Sequence, residues 1–177
     1  MKKSVCFPIL FLAVLAVTGC PKSVQEETNI APHVYEDVAR EVIEEVMTAK
    51  GYGLYWNATP LDSFTIKGND ASCNVSVVLD ATEQYGRIGI EYLSPGDLLK
   101  FEEAAAPCVG TIRQSDIPEL AAQFEQQASS QAGFPVKCFY DHHYRDAEAN
   151  VDTARNELRS EITAYIQQCE ASNILWK

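Results

Sequence analysis

Asp141-His142-His143, with Asp146 and Glu148 close behind, is the most polar cluster in the chain. Imidazole and carboxylate together can hold zinc or another divalent ion. Adjacent histidines point apart on a strand or a helix, however, so a shared metal would require a loop here. The plainer reading is a strand-to-helix connection whose carboxylates favour the positive helix N-terminus. Asp141, His142 and His143 are therefore weak metal candidates, and no cofactor is expected. Asp80, Glu83 and Glu91 form a second set, because two acids at a set separation can hydrolyse a glycosidic bond. With 25 acidic residues in the chain, such pairs arise by chance. The chain has no Gly-x-Ser-x-Gly elbow, no Gly-rich phosphate loop and no His-Glu-x-x-His. No catalytic residue is assigned.

Two further sets carry chemistry of a different kind. Tyr52, Tyr55 and Trp56 lie close together and can stack on a sugar, although three aromatics between a helix and a sheet also suit a core. Cys73, Cys108, Cys138 and Cys169 are the four cysteines beyond the first twenty residues. In an exported domain an even number reads as two disulfides. Zinc is the rival ligand, but none of the four forms the short paired spacing of a zinc knuckle or ribbon.

The elements that must position these residues follow from periodicity. Val34, Val38, Val42 and Val46 recur every four residues, with Glu36, Asp37, Glu41, Glu44 and Glu45 on the outer face. That spacing predicts an amphipathic helix, ended by Gly51 as a left-handed cap. Phe64 to Lys67, Cys73 to Asp80 and Arg87 to Tyr92 each alternate apolar with polar residues, as strands of an antiparallel meander do. Ser94-Pro95-Gly96-Asp97 starts a helix, with Ser94 as cap and Pro95 in the first position. Asp116, with Glu119 three residues on, starts another that ends near Gly133. Val136, Cys138 and Tyr140 make a fourth strand. Ala147, Val151, Ala154, Leu158, Ile162, Ile166 and Cys169 form the longest apolar stripe, and predict a closing helix.

The expectation is a single α+β domain over residues 33–177, in the order α-β-β-β-α-α-β-α. Its antiparallel sheet has about four strands, with helices packed mainly on one face. If every element reverses direction, the closing helix carries Cys169 to the Cys73 end and leaves Cys138 near Cys108. The pairs Cys73–Cys169 and Cys108–Cys138 then come within bridging distance, whereas Cys138 and Cys169 do not.

The first twenty residues set the compartment. Lys2 and Lys3 precede an apolar run from Val5 to Val17, which ends in Thr18-Gly19-Cys20. A basic start, a short apolar region and small residues at the cut describe a signal peptide, too short for a bilayer span. A cysteine directly after Thr18 and Gly19 resembles the lipobox of bacterial lipoproteins. That resemblance implies a signal peptide over 1–19, cleavage behind Gly19 and acylation of Cys20. Residues 20–32, polar up to Pro32, would be a flexible tether. Pro21 is not the aspartate that the lipoprotein class associates with inner-membrane retention, which favours the periplasmic face of an outer membrane if the cell has one.

Within the domain, Ile88-Gly89-Ile90-Glu91-Tyr92-Leu93-Ser94 with Asp97, then Val136-Lys137-Cys138-Phe139-Tyr140-Asp141, then the Leu158-to-Ile166 helix, is similar to a set of uncharacterised bacterial domains. That set implies no activity and no site residue.

Cleavage behind Gly19 leaves 158 residues, with 12 basic against 25 acidic side chains, a net charge of −13. Such a charge opposes binding to nucleic acid, which needs Lys and Arg on phosphate. It also opposes adhesion to anionic lipid beyond the acyl anchor, and permits a basic envelope protein as partner. The functional expectation is a membrane-tethered, non-catalytic envelope lipoprotein that binds or scaffolds. The alternatives are an acidic inhibitor or immunity-type protein against a basic target, and an envelope hydrolase.

Overall fold

The structure is a computed structural model that describes residues 34–68, 71–104, 112–143 and 150–176, without the side chains of residues 58, 62, 63, 66–68, 71–73 and 104. The expected signal peptide, Cys20, the tether, Cys108, Asp146 and Glu148 lie outside the described residues. Helix α1 (Glu36–Ala49) leads into β1 (Leu54–Gly68), β2 (Ala71–Glu83) and β3 (Gly89–Leu93). Then come α2 (Pro95–Ala104), a 3-10 turn at Gln114–Asp116, α3 (Ile117–Ala132), β4 (Val136–Tyr140) and α4 (Val151–Ala171).

Local chemistry explains most of these boundaries. In α1 the fourfold apolar spacing buries Val42 and Val46 with Ile43 and Met47, and Gly51 ends it with φ +82°. Helix α2 opens on a reciprocal cap: Asp97 N donates to Ser94 Oγ (3.2 Å), and Ser94 N donates to Asp97 Oδ2 (3.2 Å). Asp116 behaves differently from expectation. Its carboxylate turns back to accept the Arg113 amide (2.9 Å) and makes no cap bond to α3. Asn150 caps α4, accepting from the Asp152 amide (2.7 Å).

The strands form one sheet in the order β1-β2-β3-β4. The first two pairings are antiparallel, but β3 and β4 are parallel, so the wholly antiparallel sheet is corrected. Residues 94–135 separate β3 from β4 and carry α2 and α3, which is a connection long enough for a parallel crossover. The expectation of helices on one face is corrected too. Helices α1 and α4 pack on one face with Ile88, Ile90, Tyr92 and Phe139. Helices α2 and α3 cover the other with Leu79, Leu93, Val136 and Cys138. All five residues of β3 are buried in consequence. Gly89 is needed at this crowded position, since a Cβ there would lie 3.0 Å from both Leu79 and Val136 side-chain carbons.

The long β1–β2 hairpin changes register between Trp56 and Thr59 and again between Leu61 and Phe64. Asn57, with φ 51°, sits in the first of these irregularities. Phe64 packs against Phe124 of α3 with the rings tilted, at 4.9 Å between centroids. Side chains of α3 also satisfy backbone groups at both sheet edges. Gln127 accepts the Thr65 amide (2.9 Å) and donates to its carbonyl (2.8 Å). On β4, Ser129 Oγ accepts the Val136 amide (2.8 Å), and Glu125 accepts that of Cys138 (3.2 Å). Edge groups that would otherwise invite another strand are thereby occupied.

Candidate functional site

The β2–β3 ladder consists of two pairs, Thr82↔Gly89 and Ala81↔Ile90. Where a third would form, two carboxyl side chains enter the gap. The Asp80 amide donates to Glu91 Oε2 (3.1 Å), and the Tyr92 amide donates to Asp80 Oδ2 (2.7 Å). Each strand thus satisfies a backbone donor of the other through a side chain rather than a carbonyl. The result is a seam held by an acid pair.

Burial sets the protonation of this pair. It pushes the Asp80 carboxyl up to about 7; the Tyr92 amide and Arg40 oppose the rise, while Asp97 and Glu36 add to it. Glu91, 2% exposed, is pushed well above the usual carboxylate range, first by burial and then by the charge of Asp80. Both shifts favour the protonated form, so the pair carries less than its full charge at neutral pH.

Asp80 also lines two spaces. One is a hollow of about 520 Å³, which takes in Val75, Val77 and Phe101 with Asp80, Glu91 and Asp97. The other is a crevice of about 10 Å³ beside Arg40, Ile43, Trp56 and Tyr92. Glu36 and Asn57 line both. The Arg40 guanidinium lies 4.2 Å over the Trp56 ring, and Lys100 pairs with Asp97 at 3.0 Å. Sequence reasoning named Asp80 and Glu91 but missed Glu36, Arg40, Asn57 and Lys100 around them. Glu36 and Arg40 read as ordinary positions on an amphipathic helix, so no signal marked them.

Glu83, the third acid of that set, stands apart. Arg87 grips it with two bonds, Nη2 to Oε1 at 2.7 Å and Nε to Oε2 at 3.0 Å. Burial alone would raise the Glu83 carboxyl, but the Arg87 fork and the Tyr85 amide outweigh it and hold it below its ordinary value. The structure therefore brings Asp80 and Glu91 together and gives Glu83 to a cation.

The Asp141-His142-His143 cluster is spread over separate tasks. Asp141 is buried, and its carboxylate accepts the amides of Val34 (3.1 Å) and His143 (2.8 Å). Tyr92 Oη donates to the Val34 carbonyl (3.1 Å), so Asp141 and Tyr92 together clamp the chain ahead of α1. His142 Nε2 lies 2.6 Å from Glu161, and His143 Nε2 lies 2.9 Å from Glu157. Those glutamates are one turn apart on α4, which draws the two imidazoles to different partners. Among the described residues no group of three or more His, Cys, Asp or Glu is placed to hold a metal.

The cysteine pairing needs correction at Cys169. Cys138 and Cys169 are both buried free thiols, in the cores on opposite faces of the sheet. Because β4 is parallel to β3, α4 returns to the base of the long hairpin. There Tyr52 Oη donates to Glu170 beside Cys169 (2.9 Å). Cys73 pairs with Ile66 near the hairpin tip, ten residues of β2 from Glu83. At roughly 3.3 Å per residue that is about 33 Å, far beyond the reach of about 7 Å for a bridge. For the other expected pair, Cys108–Cys138, the Cys138 thiol is free and Cys108 lies outside the described residues. The aromatic trio also divides: Tyr52 is buried, Trp56 lies under Arg40 and Tyr55 is exposed.

No protein-family model, no curated protein and no solved structure matches the chain.

Proposed function

We propose that this chain is a membrane-tethered envelope lipoprotein whose domain binds or scaffolds rather than catalyses. Lys2 and Lys3, the apolar run to Val17 and Thr18-Gly19-Cys20 support export and acylation at Cys20. The non-catalytic part rests on one observation about the best acid pair in the molecule. A hydrolytic pair needs carboxyls turned to a substrate, whereas Asp80 and Glu91 each commit an oxygen to the backbone of the other's neighbourhood. The pair closes a seam, and the adjoining hollow with its apolar wall of Val75, Val77 and Phe101 offers room for a ligand or side chain. Mass spectrometry of the native N-terminal peptide tests the anchor. A diacylglyceryl-modified Cys20 is the expected result, and an unmodified Cys20 or cleavage elsewhere would remove the lipoprotein reading.

A second reading, an acidic inhibitor or immunity-type protein against a basic target, draws on the charges around the same hollow. Glu36 and Asp97 line it as acidic side chains beside Lys100, while the protonated Asp80–Glu91 pair adds little charge there at neutral pH. The net charge of −13 expected after cleavage points the same way. Affinity capture from envelope extract at low and high salt separates the two readings. A basic partner that is lost at high salt favours the inhibitor, while a partner held at both favours the scaffold.

A further inference from the structure

We propose that the Asp80–Glu91 seam is a proton-operated latch between β2 and β3, closed while the pair holds protons and opened when it loses them. The geometry isolates this place. Backbone pairing of the two strands stops after Ala81↔Ile90, and the Asp80 and Tyr92 amides beyond it are held by the two carboxyls. A latch made of side chains can be released without breaking the ladder beneath it.

The charged groups that face the pair favour release once it ionises. Helix α1 contributes Glu36 and Arg40, α2 contributes Asp97 and Lys100, and the Cys138 thiol of β4 lies in the field of Glu91. Lys100 is already engaged by Asp97, and Arg40 stacks on Trp56. Two neighbouring carboxylates in this buried gap would therefore carry more negative charge than the cations around them offset. Turning toward the hollow and its water relieves both repulsion and desolvation. Asp80 lines both the hollow and the crevice, so its movement alters the lining of the space that the binding reading uses. The latch's own operation does not depend on that reading.

Amide hydrogen exchange of the full chain, followed residue by residue by NMR from about pH 6 to about pH 9, tests it. After correction for intrinsic exchange, protection of the Asp80 and Tyr92 amides should fall about tenfold per pH unit above neutrality, the slope of one linked proton. The Glu83 amide, bonded to the Ile88 carbonyl at 3.0 Å, should keep constant protection as the ladder control. Asp80→Asn/Glu91→Gln keeps oxygen acceptors at both places without the charge, and should abolish the slope. Glu44→Gln, on the exposed face of α1 away from the pair, should retain it. Protection of Asp80 and Tyr92 that is independent of pH in the unaltered chain would overturn the proposal, as would a slope lost in Glu44→Gln or shared by Glu83. A folded double variant that keeps the slope would overturn it as well. If that variant does not fold, the unaltered chain and Glu44→Gln decide the matter alone.

Discussion

Glu83 near the end of β2 and Glu91 in the middle of β3 are almost equally cut off from solvent, at 0% and 2% exposure. Their chemistry is opposite. Glu83 meets the Arg87 fork and stays ionised below its ordinary range, while Glu91 meets Asp80 and keeps its proton. Burial raises both, so the neighbour decides the sign. The consequence for stability follows from linkage. Glu83 stabilises the fold above its unfolded value of about 4.3, and that support is lost as pH falls through its lower folded value. Asp80 and Glu91 stabilise fully below their unfolded values of about 4, and lose that contribution as pH rises, for Asp80 through about 7. The two sites together predict that their combined contribution peaks near about pH 4, where Glu83 is ionised in the fold and the Asp80–Glu91 pair has lost little.

Breaking the Glu83 site should have the largest effect. Arg87→Met leaves a buried carboxylate without its counter-charge and should cost about 3 kcal/mol in urea unfolding at neutral pH. The loss should shrink as acid protonates Glu83. Glu91→Gln should act in the opposite direction. It keeps an oxygen for the Asp80 amide while removing the need to take up a proton on folding. The expected gain is about 1 kcal/mol or more at neutral pH, and the alkaline fall in stability should flatten. Equal effects of the two substitutions at all pH values would collapse the distinction. The smallest effects belong to the exposed histidine pairs. His142→Ala and His143→Ala should each cost about 0.5 kcal/mol or less, as partly exposed side-chain contacts do. A much larger loss at either, measured by the same unfolding assay, would give the cluster a role beyond these contacts.

The same contrast explains what could be read from the chain. Helices α1 and α4 and strand β4 were legible because their apolar spacing matches their period throughout. The first half of β1 was not, since the register change between Trp56 and Thr59 breaks the alternation that marks a strand. Asp116 was legible as a capping residue, but competition from the Arg113 amide redirected it. Direction of β4 lay beyond the pattern altogether, because residues 94–135 allow either a return or a crossover. That one choice moved Cys169 to the wrong end of the expected layout. Asp80 and Glu91 looked like solvent-facing residues of an alternating strand. Only a sheet covered on both faces buries Glu91 and half-buries Asp80, and alternation on a single strand does not reveal the second layer. The histidines were conspicuous by type, yet type alone says nothing of the glutamates one turn apart that receive them.

Direct titration of the three carboxyls by side-chain ¹³C NMR reads their opposite shifts without any substitution. Asp80 should titrate at about 7, Glu91 well above an ordinary glutamate, and Glu83 below one. Three ordinary carboxylate midpoints near about 4 would contradict this, and so would Glu83 and Glu91 shifting in the same direction.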